Sequence, residues 1–416
     1  MRRSCISCCR AAGRKRGDGM ADVIKDVLMG KLFGTSGTSS GGGGSSGGGG
    51  TSSGVSPKEV NFYDYDGTCV HAYTVAEAQA LSELPAGPEH PGLVFQGWNW
   101  SLEGVKGLTR AMNIGAMYTT DDGTTRLYIT LQEGRASPML GVGVNGTVTV
   151  DWGDGTEPDM LTGTSVIAAQ WTPNHAYAAP GDYVIRLTVD GEMSIRGDSN
   201  TDGYSYILRY ASGADARNGL YQRALRRVEI GNNVVSLGGY AFYQCNNVCA
   251  LTISKGVRLI GESYVFPPAT GHLTIPNDIT EIPESVIYYG RFRSVSIPNS
   301  VKKLGENALT CSYVQAGYTI PDSVTDFGED IFYNCLGISF IYLPKNMTSV
   351  PAYTFRNCYG LAFIDFTACT VIPTLSATNA FSGVPADCEI RVPAALYDEW
   401  IAATNWATYA SQIKAY

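Results

Sequence analysis

The amino-acid sequence predicts a mainly β, multidomain protein, and three observations lead to that fold class. First, a chain of 416 residues exceeds the size at which a single hydrophobic core usually stops growing, so several domains are expected. Second, charged residues make up only 16% of a chain that contains 49 Gly and 25 Tyr, which favours strands and turns over helical bundles. Third, the second half of the chain repeats every 22 or 23 residues, which predicts a solenoid.

The repeats place apolar residues at two fixed positions of each unit, and these positions define the array. Each unit combines a short strand, a Ser/Asn turn and a second apolar position. The first series comprises Ile230, Ile253, Ile275, Ile297, Ile320, Leu343 and Phe366, and the second comprises Leu237, Ile260, Ile282, Leu304, Phe327, Val350 and Ile372. A unit this short cannot bury its own apolar face, so neighbouring units must stack.

The repeats also carry a family resemblance. The phrases TIPNDITEIP, SIPNSVKKLG and TIPDSVTDFGEDIFYNC resemble the BspA-like repeats of bacterial surface and phage proteins. The resemblance covers residues 228–388, about seven units, and implies a leucine-rich repeat solenoid. Residues 389–416 place apolar side chains on one helical face after Pro393, so they are expected to form a helical cap with Trp400 and Trp406 in its core.

Cysteines recur within the array. Cys245, Cys335 and Cys358 share one repeat position, and Cys311 lies one residue off it. They are expected to stack as small buried thiols. A disulfide between neighbouring units, such as Cys335 and Cys358, is the alternative.

The first 57 residues predict a leader and a tether. Residues 1–34 contain apolar residues at helical spacing, so a short anchor helix is expected, with a disordered leader as the alternative. The basic residues 1–19 are followed by a Gly/Ser tract instead of an apolar core, so no export signal is predicted, and Met20 is an alternative start. Residues 35–57 are rich in Gly and Ser and predict a flexible linker.

Residues 58–117 predict a small β module with a hairpin at Asp66-Gly67. The outline resembles the β-grasp-like internalin B-repeat, and the matching residues are Phe62, Asp64, Asp66, Gly67, Pro88, Gly92, Phe95, Gly97 and Trp98. The same segment spells the DxDGT signature of haloacid-dehalogenase phosphatases, whose first Asp is a nucleophile. That chemistry requires a doubly wound α/β domain, which the β pattern here does not predict, so we interpret the signature as a turn.

Residues 118–195 alternate as strands around a WGDG turn, followed by His175-Ala176-Tyr177 and Pro180-Gly181-Asp182-Tyr183. This order resembles PKD domains and implies an immunoglobulin-like β-sandwich, with residues 196–227 as a connector to the repeats. Asp151 and Asp154 of the turn could supply oxygen ligands to Ca²⁺. The favoured interpretation is that they bond the amides of the turn.

The sequence predicts a binding protein and not an enzyme, because no nucleophile, base or phosphate-loop constellation is found, and no cofactor is expected. The acidic main body of a chain of net charge −8 argues against nucleic acid, and the absence of a long apolar run argues against membrane insertion. Rigid, amphipathic tyrosines of the repeats are the candidate ligand-binding residues. They are Tyr288, Tyr289, Tyr313, Tyr333, Tyr342 and Tyr359.

The order of leader, tether, modules, repeats and cap favours an adhesin or receptor-binding protein that presents its solenoid on a flexible tether. Its partner would be a bacterial surface protein or glycan. A phage or prophage tail component is the favoured setting, in which the N-terminal segment contacts other virion proteins. A secreted or cell-surface bacterial adhesin and a virion decoration without a specific ligand are the alternatives.

Overall fold

The computed structural model describes residues 54–133, 137–196, 207–209, 223–243, 245–267, 271–287, 290–310, 312–314 and 317–416. The leader, most of the tether, Cys311, Tyr288 and Tyr289 therefore lie outside the described residues. The mainly β fold and the repeat solenoid are confirmed.

Residues 60–120 form a small module with its own core. Its strands are β1 (Val60–Tyr63), β2 (Cys69–Tyr73), β3 (Leu93–Trp98) and β4 (Met112–Thr120). They form a sheet of order β2-β1-β4-β3, in which β1 and β4 are parallel. Two short helices, α1 (Val75–Gln79) and α2 (Leu102–Lys106), begin at the capping side chains of Thr74 and Ser101. The hairpin predicted at Asp66-Gly67 joins β1 to β2.

The next four strands form one antiparallel unit of order β5-β8-β6-β7. They are β5 (Thr125–Leu131), β6 (Met139–Asp151), β7 (Asp159–Trp171) and β8 (Gly181–Ile195), and a two-residue strand, β9 (Leu208–Arg209), pairs with the start of β6. The immunoglobulin-like resemblance implies two facing sheets, but β5 to β8 belong to a single sheet. The unit also continues into the solenoid, because β5 pairs with the first repeat strand and β8 with the second.

The turns of the solenoid over residues 225–375 each contribute one strand to a first ladder and one to a second, and two final strands extend the first ladder; the strands that pair between turns are parallel. The first ladder comprises β10 (Leu225–Glu229), β12 (Ala250–Thr252), β14 (His272–Thr274), β16 (Ser294–Ser296), β18 (Tyr318–Thr319), β20 (Phe340–Tyr342), β22 (Phe363–Asp365), β24 (Glu389–Val392) and β25 (Ile413–Ala415). The second comprises β11 (Val234–Leu237), β13 (Leu259–Ile260), β15 (Glu281–Ile282), β17 (Lys303–Leu304), β19 (Asp326–Phe327), β21 (Ser349–Val350) and β23 (Thr374–Leu375).

The two apolar series form the core of the solenoid. Every member of the first series is buried, and members of the second are buried or packed against the same core. One assignment needs correction. Val350 pairs with Leu375, three residues beyond the predicted Ile372, because the last turn is longer than the preceding ones.

Six consecutive turns each contain a residue in the left-handed region, and these residues recur with the period of the repeats. They are Tyr240, Ser263, Ser285, Asn307, Asp330 and Tyr353, all with φ between 56° and 63°. The amides of Ser263 and Asn307 donate to the carbonyls of Glu284 and Glu329 in the next turn. The unusual conformation therefore serves the stacking of one turn on the next.

The cysteines and the cap behave as the sequence predicts. Cys245, Cys335 and Cys358 are buried and form no disulfide. The Sγ atoms of Cys335 and Cys358 donate to main-chain carbonyls 3.1 and 3.0 Å away. Helix α3 (Tyr397–Ala402) closes the array, and Trp400 and Trp406 are buried in its core.

Candidate functional site

The first strand ladder presents a surface that we call the strand face. In its three-residue strands β12, β14, β16, β20 and β22 the middle residue is buried, and the two flanking side chains point to the opposite side of the strand, as strand geometry requires. In β16 the outward residues are Ser294 and Ser296, and in β20 they are Phe340 and Tyr342. The repeat alignment places Tyr342 where Ser296 stands two turns earlier, because each precedes a residue of the first apolar series.

The module covers the early part of the strand face. At the centre of the contact, the amide nitrogen of Asn99 donates to the carbonyls of Ile275 and Ser296, at 2.9 and 3.2 Å. The amide oxygen of Asn99 accepts from the main-chain nitrogen of Gly115 and from the hydroxyl of Ser296, both at 2.9 Å. Trp100 Nε1 donates to the carbonyl of Ile297 at 3.1 Å. A fully buried asparagine thus satisfies backbone groups of two solenoid turns.

Further contacts extend the covered region in both directions. The amide of Tyr118 donates to the carbonyl of Ile253 at 3.2 Å. Arg110 Nη2 donates to the carbonyl of Ile320 at 3.0 Å and to a carboxylate oxygen of Asp322 at 2.6 Å. The module therefore spans the strand face from the turn of Ile253 to the turn of Asp322. These contacts pack the module against the side of the solenoid, so the two are not separate units arranged in a row.

The fit depends on small side chains. Thr252, Thr274, Ser294 and Ser296 are all buried although they point outward from the solenoid. A Cβ atom added to Gly115 on β4 would stand 2.2 Å from Thr274 Oγ1, so only glycine allows this approach.

His272 is the titratable group at the centre of this interface. Its ring stacks on Tyr63 with centroids 4.9 Å apart, and its Nδ1 lies 2.7 Å from the hydroxyl of Ser294. Burial lowers the pKa of His272 to about 3, because the interface offers no solvation to a charged imidazole. The docked arrangement therefore contains neutral His272.

Beyond Asp322 the strand face carries large side chains, which we call the aromatic ladder: Phe340, Tyr342, Phe363, Arg391 and Tyr416. The rings of Phe340 and Phe363 stack with centroids 5.6 Å apart and 11° between their planes. The guanidinium of Arg391 lies 3.8 Å from the centroid of Phe363 and 4.7 Å from that of Tyr416. Phe340, Tyr342 and Phe363 are half-buried, and Tyr416 is 57% exposed.

A charged pair fixes the end of the aromatic ladder. Arg391 donates to Glu389 through Nε at 2.9 Å and contacts it through Nη2 at 2.8 Å. The hydroxyl of Tyr416 donates to the same carboxylate at 2.8 Å. These bonds lower the pKa of Glu389, so the carboxylate stays ionised and holds Arg391 in place.

This stacking decides which atoms a ligand can touch. Phe340 and Arg391 stack on Phe363 from the preceding and the following turn, so a ligand reaches this ring at its edge. Tyr342 packs edge-on against both Phe340 and Phe363, with centroids 5.4 and 5.5 Å apart. Positive ring edges favour carbonyl oxygens and the faces of other rings.

The six tyrosines predicted from the sequence do not form one surface. Tyr342 belongs to the aromatic ladder. Tyr313 lies beside Arg291 and Tyr333 beside Arg356, with guanidinium carbons 5.7 Å from each ring. Tyr359 is 60% exposed, whereas Tyr288 and Tyr289 lie outside the described residues. A ligand-binding role for these tyrosines stays a prediction.

Sequence reasoning missed Phe340, Phe363, Arg391 and Tyr416. Phe340 and Phe363 are 23 residues apart, so the repeat period itself could have revealed them. They occupy the position before the buried strand residue, which is an outward position in every turn. A prediction restricted to tyrosine therefore misses both phenylalanines.

The DxDGT segment has a structural role in the module. Asp64 is buried, accepts a hydrogen bond from the hydroxyl of Tyr118 at 2.9 Å and pairs with His90 Nε2 at 2.7 Å. Burial raises the pKa of Asp64. Asp66 accepts from the amide of Thr68 within the turn. Both carboxylates are thus used by the fold, as the turn interpretation expects.

The aspartates of the WGDG turn are also used by the protein. Asp151 accepts from the amide of Gly153 at 2.8 Å. One oxygen of Asp154 accepts from Thr156, and the other lies 2.8 Å from His175 Nε2. His175 in turn stacks on Trp152 with centroids 4.5 Å apart. These bonds support the turn role, and Ca²⁺ binding stays a prediction.

Two findings concern the described part of the chain as a whole. None of its helices is both long and apolar enough to cross a membrane. Within the same residues, no three His, Cys, Asp or Glu side chains are grouped so that they could hold a metal ion.

Solved structures that resemble the chain include two bacterial proteins. The chain is similar to the crystal structure of a leucine-rich repeat protein of T. pallidum at 16% identity and a TM-score of 0.27, over 44% of this chain and 78% of that one. It is similar to a leucine rich cell surface protein of Faecalibacterium prausnitzii at 19% identity and a TM-score of 0.25, over 47% and 65% of the two chains. No curated protein matches the chain.

A family model gives the more specific result. The BspA type leucine rich repeat region matches residues 217–315 and 268–384, in six copies. The matched segments contain the strands of both ladders from β10 to β23, including the covered strands and the phenylalanines of the aromatic ladder. The protein therefore contains a leucine-rich repeat region of the BspA type.

Proposed function

We propose that this protein is a non-enzymatic adhesin or receptor-binding protein, and that its aromatic ladder binds a protein on a bacterial surface. The observation that carries the proposal is the division of the strand face. One part already holds a folded module through Asn99, Trp100 and Arg110, so the face is able to bind a protein surface. The other part carries half-buried aromatic and arginine side chains and the exposed Tyr416, and aromatic residues and arginine are enriched at binding hot spots.

The stacking within the ladder favours a protein over a glycan. A sugar ring packs on the open face of an aromatic side chain, but the faces of Phe363 are taken by Phe340 and Arg391. The exposed ring edges and the hydroxyl of Tyr342 suit the carbonyls and aromatic rings of a polypeptide. Glu389 and Arg391 supply one charge of each sign, so a partner with mixed charge fits better than a polyanion.

The setting is part of the proposal. A phage or prophage tail component is favoured by the order of tether, modules and repeats, and the N-terminal segment would contact other virion proteins. A bacterial cell-surface or secreted adhesin is the alternative, and a virion decoration would share the fold without a ligand. Mass spectrometry of purified phage particles and of cell-surface fractions from the source organism separates these settings.

The binding claim is tested with the full chain on whole bacterial cells. The test variant combines Phe340→Ala with Phe363→Ala, and the matched control is Tyr359→Ala, which removes an exposed aromatic side chain away from the strand face. We expect saturable binding that the double variant weakens at least tenfold, about 1.4 kcal/mol, and that the control retains. Equal binding by the double variant and the control would contradict the proposed site.

A second arm identifies the class of partner. Cells are treated with protease or, separately, with periodate to oxidise surface glycans. Loss of binding after protease alone supports a protein partner. Loss after periodate alone would overturn that assignment in favour of a glycan, and absence of saturable binding to every cell type would leave the structural decoration.

A further inference from the structure

Among the described strands, β7 lies at an edge of the sheet formed by β5 to β8. It spans thirteen residues, Asp159–Trp171, and among the described strands it pairs only with β6. On the other side of residues 159–165, the backbone donors and acceptors have no ladder partner among the strands that the structure describes. Free edges of this kind are templates for pairing with another strand.

The sequence of β7 contains none of the features that usually protect a free edge. It reads DMLTGTSVIAAQW, with one charged residue, Asp159, and neither proline nor lysine. Strand β25, which ends the first ladder, makes the contrast clear. It has only three residues, and it carries an exposed Lys414. Short length and lysine are protective at β25, whereas β7 is long and nearly uncharged.

The apolar surface of the molecule points to the same strand. Ile167 and Met160 are 72% and 68% exposed, the highest values among the large apolar side chains of the described residues. Both lie on β7. Thr162 and Thr164 alternate with buried or half-buried neighbours on the regular part of the strand. Solvent-exposed apolar side chains on an open edge are typical of an interface.

The register of β7 divides it into two parts. Residues 159–165 pair regularly with β6, and then the pairing jumps from Ser165 opposite Val144 to Ala169 opposite Gly143. Residues 166–168 therefore bulge from the ladder and carry Ile167 outward. The regular part offers about 23 Å of straight edge at roughly 3.3 Å per residue.

We propose that β7 is a dimerisation edge, along which two copies of this chain pair antiparallel to form one continuous sheet. An isologous pair about a two-fold axis brings the same strand from both copies together. Its charge pattern suits a second copy, because antiparallel pairing about the middle of residues 159–165 places the two Asp159 carboxylates at opposite ends of the interface. The exposed Met160 of one copy then lies opposite Thr164 of the other.

The dimer would change how the protein binds without altering the aromatic ladder. Two ladders in one particle raise the effective affinity for a surface that carries many receptors. This consequence rests on the proposed function, but the dimer itself does not, because its test measures mass and not receptor binding.

Sedimentation equilibrium of the full chain from 1 to 100 μM tests the proposal. We expect a concentration-dependent mass that approaches twice the chain mass of 44.5 kDa. The variant Met160→Lys with Ile167→Lys is expected to raise the dimer dissociation constant at least tenfold, because both side chains are exposed and lysine protects a strand edge against pairing. The matched control, Leu259→Lys with Val371→Lys, changes side chains that are 54% and 53% exposed elsewhere, and it should leave the constant unchanged.

Hydrogen exchange of the unmodified chain gives a second readout that needs no variant. Amides of residues 159–165 are expected to exchange more slowly at 100 μM than at 1 μM, while amides of β25 exchange equally at both. A monomer throughout this range would overturn the proposal, as would a dimer that the lysines on β7 leave intact. Slower exchange at 100 μM confined to amides outside residues 159–165 would also overturn the proposal.

Discussion

The covered and uncovered parts of the strand face are built by the same ladder, and they differ in the side chains that point outward. Under the module most of these are small, namely Thr252, Thr274, Ser294 and Ser296, and they are buried together with His272. Beyond the module they are phenylalanines, Tyr342 and Arg391. Small polar side chains allow the backbone of the module to approach and bond to the carbonyls of the solenoid. Large aromatic side chains prevent such a close approach, and they provide contact area for a partner. The comparison indicates that the repeat determines the backbone of the strand face, whereas the outward side chains determine what binds to it.

The largest expected effect comes from breaking the covered part at Asn99. Replacement by Ala removes the bonds to the carbonyls of Ile275 and Ser296. The Ser296 carbonyl keeps the amide of Ile275, but the Ile275 carbonyl and the Gly115 amide lose the partner that Asn99 supplies, so the module should lose about 3 kcal/mol of docking free energy. Chemical denaturation, with hydrogen exchange at β4, measures this loss. Asn346→Ala, at an exposed position, should cost less than about 0.5 kcal/mol. Equal effects of the two variants would contradict the proposed anchor.

The close approach at Gly115 gives the next effect. Gly115→Ala places a methyl group 2.2 Å from Thr274 Oγ1 and 2.8 Å from His272 Nε2, so we expect about 2 kcal/mol of destabilisation from overpacking. Thr274→Ala should recover part of that cost in the double variant, and denaturation of all four proteins closes the cycle. Strict additivity would show that the clash lies elsewhere.

The interface should also depend on pH through His272. Its pKa is about 3 in the docked state and about 6.5 when the imidazole meets water. Because the docked pKa is the lower one, the contribution is complete above about pH 6.5 and is lost as the pH falls toward 3. From pH 6.5 to 5 the loss is about 2 kcal/mol. His272→Asn should flatten this part of the stability curve, and a variant that keeps the slope would assign it to other groups.

The smallest expected effect is at the end of the aromatic ladder. Arg391→Lys keeps the charge but loses the planar group that stacks on Phe363 and contacts Glu389 through two nitrogens, so about 0.5 to 1 kcal/mol of binding free energy should disappear. Isothermal titration with an isolated receptor measures it. Lys345→Arg at an exposed position is the matched control. A loss larger than that of Phe363→Ala would place the centre of the site at the charge instead of the rings.

The sequence predicts what is periodic and misses what is not. The buried series from Ile230 to Phe366 follows from spacing alone, because each turn must bury the same position. The docking of the module left no such mark, since Asn99 and Ile275 are 176 positions apart and the bonds run to backbone carbonyls that every residue possesses. In residues 118–195, the local turn around Trp152 was recognisable, but the pairing of β5 and β8 with the first repeat strands depends on the whole chain.

Site-specific photo-cross-linking tests the central claim most directly. A benzoylphenylalanine is placed at Tyr342 in the aromatic ladder or at Tyr359 away from it, and the full chain is irradiated on the cells that it binds. The account predicts one protein adduct from position 342 and none from position 359. An adduct from position 359 alone, or undiminished binding without any adduct from position 342, would contradict the role of the uncovered strand face.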